Sequence, residues 1–165
     1  MKILAIETSC DDTGIAILEV LKTGDFKVLS NIVASQIKVH KKYGGVYPAL
    51  AKREHQKNLV PALKSALIKA DMLGISKSQF PISKQIQNPK FQNLNSILER
   101  EPELLKKLVL FLKKYENPNA CPEPSRRIDL ISVTNGPGLE PCLWVGVNFA
   151  KALSYFWNIP IVPVN

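Results

Sequence analysis

Residues 1–17 read Met-Lys-Ile-Leu-Ala-Ile-Glu-Thr-Ser-Cys-Asp-Asp-Thr-Gly-Ile-Ala-Ile, and this stretch decides the fold. Two apolar runs, residues 3–6 and 15–18, flank a tight polar turn over residues 7–14. Short runs rich in β-branched residues, bounded by a polar cluster, read as two strands joined by a turn. The turn is unusually rich in reactive groups. Glu7, Asp11 and Asp12 bring three carboxylates within six residues. Like charges this close repel unless a cation or an array of donors sits among them. Thr8, Ser9 and Thr13 add hydroxyls, and Gly14 permits close backbone approach. This is the build of a hairpin that faces a phosphate or a metal-bound phosphate. A solvated acidic turn closed by Ser and Thr hydroxyls is the plainer alternative. The length and order of the turn favour the first.

Outward from the turn, residues 22–25 form a second hairpin turn around Gly24, and a third strand runs over residues 26–35. Such a three-strand meander is one half of an actin-like or sugar-kinase-like phosphate-binding domain. Gly44 and Gly45 mark a loop, and Pro48 suits the first turn of a helix. Apolar residues then recur at helical spacing to about residue 72 (Leu50, Leu59, Leu63, Leu67 among them). Pro61 predicts a kink or a break in this helix, and Gly74 its end. Residues 76–127 change character, first Gln-, Asn-, Ser- and Lys-rich, then a Lys/Glu/Leu helical stretch over 97–115, then a proline-rich linker. They read as an insertion or mobile segment without chemistry of its own. The core pattern returns with a buried strand over 128–134, a sharp turn at Asn135-Gly136-Pro137-Gly138, a helix from Pro141 or Cys142 to about Phe156, and a last strand over 159–164. Strand, glycine turn, helix, strand is a βαβ unit with parallel strands, and a ligand belongs at the carboxyl end of its first strand. The organisation is thus α/β: residues 1–75 and 128–165 form two parts of one lobe around the insertion 76–127.

Composition sets bounds. A chain of 165 residues, 45% of them apolar, is long enough for one domain with a real core, or for part of a larger one. No run approaches the apolar length of a membrane span, and the start has no signal-peptide layout. Cys10, Cys121 and Cys142, odd in number and widely spaced, argue against a disulfide framework, for a reducing compartment, and against a zinc pattern. The net charge of +8 suits an anionic partner such as RNA or a nucleotide. Much of the excess lies in the middle segment (Lys84, Lys90, Lys106, Lys107, Lys113, Lys114), where a solvated helix face looks the same.

The Gly136–Gly138 turn, between a strand and a helix, can aim backbone N–H groups at an anion. Gly146, inside the following helix, signals close packing against the sheet or a neighbour. His40 and His55 are the only histidines, and they stand apart from any carboxylate at ligand spacing. His40, before the Gly44-Gly45 loop, is the better site candidate, whereas His55 caps, packs or faces a partner. No Ser-His-Asp arrangement and no Walker lysine motif is present.

Taken together, four ordered blocks resemble the TsaD (Gcp/YgjD) family of tRNA threonylcarbamoyladenosine synthesis proteins. They are Ile6 to Gly14, Ser35 to His40 with Gly44-Gly45-Val46, Pro48 to His55, and Thr134 to Leu139 with Val145-Gly146-Val147 and Ala150 to Leu153. The family more often carries Glu at the place of Asp12 and usually Glu at the place of Ala49, and it crosses 76–127 in a short loop. The resemblance implies an actin-like (ASKHA, RNase H-like) lobe, a mixed sheet with flanking helices. It implies threonylcarbamoyl transfer from its adenylate to N6 of adenosine 37 in tRNA, in the cytoplasm. Thr8, Ser9, Asp11, Asp12 and Thr13 would face the nucleotide phosphates, with Asn135, Gly136 and Gly138 walling the same cleft. His40 and Lys42 would face tRNA or substrate. The divalent metal of the family, iron or zinc, would have its histidine ligands just after Asn165, so this chain is expected to be an amino-terminal lobe that is inactive alone. The partners implied are tRNA, a TsaB-like chain docking on the uncovered apolar face of helices 48–72, and a TsaE-like ATPase. Two alternatives stay open: a non-catalytic TsaB-like scaffold module, and a small-molecule phosphotransferase of the same superfamily.

Overall fold

The computed structural model describes residues 1–73, 89–115 and 127–165. β1 (Lys2–Glu7), β2 (Asp12–Val20) and β3 (Phe26–Ser35) form the antiparallel meander expected from the apolar runs and the turns between them. A one-turn helix, α1 (Ile37–His40), and a 3₁₀ turn over Lys41–Tyr43 lead into α2 (Pro48–Lys69). Two further helices, α3 (Pro89–Ile97) and α4 (Pro102–Lys114), precede β4 (Leu130–Thr134), α5 (Glu140–Trp157) and β5 (Ile161–Val164). The sheet order is β3-β2-β1-β4-β5, with β4 parallel to both β1 and β5. This is the mixed α/β sheet of an actin-like lobe, and the β4-α5-β5 unit is parallel as its βαβ pattern predicts.

Period-two patterning fixes one face of the sheet. Leu4, Ile6, Ile15, Ile17, Ile131 and Val133 are buried beneath the helices. α2 packs on β2 and β3, and α5 packs on β1, β4 and β5, so the two helices share one layer and touch one another.

Two expectations need correction. α2 is a single helix through Pro61. A proline here removes the N–H that would bond the carbonyl of Lys57. Lys107 Nζ donates to that carbonyl at 3.2 Å, so no break is needed to satisfy it. The helix also ends before Gly74, which lies outside the described residues: Asp71 takes a left-handed φ of 54° and Met72 N–H closes on Leu67 O. In addition, part of the segment 76–127 packs on the core. Leu94, Leu98, Leu104 and Leu108 are fully buried, in one cluster with Leu63, Leu67 and Phe149. α4 packs on α2 and α3 on α5. The stretch over 97–115 is two segments because Pro102 cannot continue a helix and instead starts one. The remainder of 76–127, including Cys121 and residues 117–126 of the proline-rich linker, lies outside the described residues.

Candidate functional site

The turns after β1 and β4 emerge side by side at the carboxyl ends of two neighbouring parallel strands. They are joined by backbone: Leu139 N–H donates to Ser9 O at 2.7 Å. Gly138 is the contact point, since a Cβ there would lie 2.6 Å from Ser9 O. α5 begins immediately afterwards at Glu140, so its N-terminal end opens beside the first turn.

The acidic turn divides its side chains between two directions. Thr8 is buried, and its Oγ1 donates to Cys142 O at 2.9 Å. Gly146 makes room for this: a Cβ at that position would overlap Thr8 Oγ1, which is the close packing its sequence position suggested. Thr13 is also buried, with Oγ1 against His55 Nδ1 at 2.8 Å. Glu7 is turned onto its own loop and accepts Ser9 N–H at 2.6 Å. Asp12 is exposed and Asp11 and Ser9 are half-buried, so these three remain on the outer side. Asn135 and Gly138 are exposed beside them, and Asn135 N–H is bound to Val164 O. A small cavity of about 180 Å³ lies against this lip, lined by Asn135, Gly138, Glu140, Leu143, Trp144 and Val147.

Behind the turn runs a directional chain of hydrogen bonds. Tyr47 N–H donates to His40 Nδ1 at 3.4 Å, which leaves the proton on Nε2 to donate to Gln36 Oε1 at 3.0 Å. Gln36 Nε2 then faces His55 Nδ1 at 3.3 Å and Ala51 O at 3.5 Å. His55 Nε2 donates to Cys10 O at 3.0 Å, since a carbonyl can only accept. His55 is therefore the neutral Nε2–H tautomer. Burial holds its pKa below the usual value, against the opposing pull of the Cys10 carbonyl and of Glu7, Asp11 and Asp12. Gln36 N–H on Asp11 O at 3.1 Å ties the same residue to the turn a second time.

The two histidines thus stand differently from their expected places. His40 is buried, with both ring nitrogens engaged, while Lys42 is exposed on the 3₁₀ turn over Tyr43. His55, the one read as structural, carries the backbone of the acidic turn. Gln36 was missed altogether. Its role lies in the fold alone, where the buried amide accepts from one histidine and faces the other.

Neither Cys10 nor Cys142 is disulfide-bonded, and both thiols are held above their ordinary range. Burial pushes Cys142 up to about 11, and partial desolvation with Asp11 raises exposed Cys10. Neither is an activated nucleophile. Among the described residues no group of three His, Cys, Asp or Glu side chains could hold a metal, and the ring nitrogens of both histidines have other partners. The residues described here do not fit a metal centre. No described helix is long and apolar enough to cross a membrane.

Comparison with known proteins gives the following. The family described as TsaD, tRNA N6-adenosine threonylcarbamoyltransferase, matches residues 27–78 and 123–165. A tRNA N6-adenosine threonylcarbamoyltransferase of Thermosipho africanus is 38% identical over 165 residues, covering 100% of this chain and 33% of that protein. Its counterpart in Bacillus subtilis is 34% identical, covering 100% of this chain and 32% of its own length. The chain thus spans about a third of the length of the curated relatives it matches. Among solved structures, YeaZ from Pseudomonas aeruginosa aligns over 99% of this chain and 42% of its own, at 12% identity and a TM-score of 0.46.

Proposed function

The chain belongs to the TsaD family of tRNA N6-adenosine threonylcarbamoyltransferases, and from that premise we propose that it supplies one wall of the cleft in which a threonylcarbamoyl group passes from its adenylate to N6 of an adenosine in tRNA. The observation that carries this reading is the junction of two turns at the carboxyl ends of β1 and β4, closed by Leu139 N–H on Ser9 O. Acyl transfer to the adenine amine leaves negative charge on the departing adenylate phosphate. The N-terminal end of the 18-residue α5 and the backbone of the Gly136–Gly138 turn favour an anion there. Asp11 and Asp12, acceptors only when ionised, orient amine and hydroxyl donors of the substrate. Thr8 and Thr13 act from behind, holding the turn against α5 and α2.

Binding of tRNA is supported by the net charge of +8 and by a basic, aromatic surface. There exposed Tyr43 and Tyr47 stack at 6.0 Å, with Lys42 over Tyr43 and exposed Lys41 alongside. A cytoplasmic setting, a TsaB-like second chain and a TsaE-like ATPase belong to the same reading. No step is assigned to the iron or zinc of the family, because the described residues hold no ligand set for it.

The test supplies the chain together with the downstream two thirds of the Thermosipho relative as a separate polypeptide. Co-elution establishes assembly, and labelled threonylcarbamoyl-adenylate reports transfer to tRNA. Label should enter tRNA only with both pieces present, and the Asp11→Asn, Asp12→Asn double variant should lose most of it. A complex that forms and transfers nothing refutes the reading.

A further inference from the structure

The family match stops at residue 78 and resumes at 123, and α3 and α4 lie wholly inside that interval. A core built from the matched residues alone would present the outer faces of α2 and α5 to solvent. In this chain those faces are covered. α4 lies on α2, and α3 lies on α5. The fit is specific on both sides. Phe91 packs on Phe156 with ring centroids 5.1 Å apart, and Asn93 Nδ2 donates to Tyr155 Oη at 2.6 Å. The Glu101 carboxylate, 1% exposed, accepts Asn148 Nδ2 at 3.2 Å and lies 3.9 Å from Lys52 Nζ. Lys107 Nζ bonds the Lys57 carbonyl that Pro61 leaves without its helical donor.

We propose that α3 and α4 form a built-in cap: they occupy, within the chain, the face of α2 and α5 on which a second chain's helices would otherwise dock. On this reading, helices 48–72 offer no uncovered apolar face to a TsaB-like partner. A helical partner reaches that face only by displacing the chain's own helices. The proposal concerns how α3 and α4 pack on α2 and α5 and uses no contact of the acidic turn, so it stands or falls independently of the transferase reading.

The polar contacts distinguish a cap from an incidental insertion. A surface excursion needs no donor for an orphaned carbonyl and buries no carboxylate. Here the segment supplies a donor to the Lys57 carbonyl of α2, and its buried acid Glu101 is paired with residues of α2 and α5. Both helices it covers thus carry groups that the segment completes.

The experiment compares three forms by light scattering across a wide concentration range and by binding of an apolar fluorescent dye. They are the full chain, a variant with residues 79–122 replaced by a short Gly-Ser linker, and that linker variant with Val60→Asp. The full chain should be monomeric. The linker variant should self-associate and raise dye fluorescence several-fold, and Val60→Asp should return it to monomer. The linker variant should not pair with the full chain, whose face is occupied. A linker variant that stays monomeric with unchanged dye binding overturns the proposal, as does a full chain that pairs equally well. Because removing the segment can unfold the lobe, a second measurement uses the intact length. Leu108→Asp should raise amide exchange several-fold in α4 and along residues 57–64 of α2, leaving β1 and β4 protected. Unchanged exchange in α2 overturns the proposal as well.

Discussion

Replacing His55 with alanine tests whether the acidic turn is held from behind. The imidazole is fully buried and serves three groups: Thr13 Oγ1, Gln36 Nε2 and Cys10 O. Cys10 is exposed, so its carbonyl can turn to water, whereas Thr13 and Gln36 are 0% and 1% exposed and each lose the imidazole acceptor of one donor hydrogen inside the protein, Gln36 Nε2 retaining its 3.5 Å contact to Ala51 O. An orphaned buried donor costs roughly 1–3 kcal/mol, so two give about 2–6 kcal/mol. The space left is polar and roomy enough for water with several partners, which moves the expected loss to about 2–4 kcal/mol. His55→Asn restores an acceptor near the Nδ1 position and should recover about 1 kcal/mol or more of that loss. Thr13→Val removes one of the orphans in advance. The double variant His55→Ala, Thr13→Val should therefore be less destabilised than the sum of the singles, by about 1–2 kcal/mol. Urea unfolding followed by circular dichroism measures all four. A loss below about 0.5 kcal/mol for His55→Ala, or strict additivity in the double, refutes the reasoning, since either means that these buried donors do not depend on the imidazole.

Two further outcomes follow from the same geometry. Because burial lowers the His55 pKa in the folded chain, the unfolded chain takes up the proton first as pH falls. The contribution is complete above the ordinary value of 6.5 and is lost as pH drops from there toward the folded pKa, with a slope of up to about 1.4 kcal/mol per pH unit. Denaturation midpoints across mildly acidic pH should show this slope in the wild type and not in His55→Asn. Gly146→Ala gains about 1 kcal/mol of helix propensity. It forces a methyl group into Thr8 Oγ1, an overlap that costs about 1–3 kcal/mol and breaks the bond to Cys142 O, worth about 1 kcal/mol more. The net should be a loss of about 1–3 kcal/mol by calorimetry, largely relieved by adding Thr8→Ala.

The sheet was legible because its signal is local. Leu4, Ile6, Ile15 and Ile17 alternate with residues of the other face, and the Gly136–Gly138 turn followed by an apolar helix leaves little choice but a parallel βαβ unit. The site was legible as a position and less so as a set of contacts. Nothing along the chain distinguishes His40 from His55, since each is a single histidine near polar neighbours. The difference lies in what α1 and α2 bring together, residues 10, 13, 36, 40 and 55, across separations that no motif spans. Thr8 and Thr13 read as ligand-facing because hydroxyls in an acidic turn suggest ligands. In the fold each takes a buried partner, as buried hydroxyls generally must.

The misreading of α2 and of the segment after it has one physical origin. A helix buried along one stripe shows a clear apolar face, and one covered on two sides spreads its apolar residues round the barrel. α2 is of the second kind. His55 points to the turn, while Val60 and Pro61 share a groove with Lys107, Phe111 and Tyr115 of the α4 segment. Ala51, Leu59, Val60, Leu63, Ala66 and Leu67 are all buried, more positions than a single stripe needs. Pro61 then takes on a different meaning. In a solvated helix it is a breaker; under α4 it leaves a carbonyl that Lys107 of the covering helix meets. A proline and a scattered apolar pattern in one helix, with a Leu-rich amphipathic stretch some forty residues later, are together the sequence mark of a second layer. Each alone reads as a defect or a surface feature.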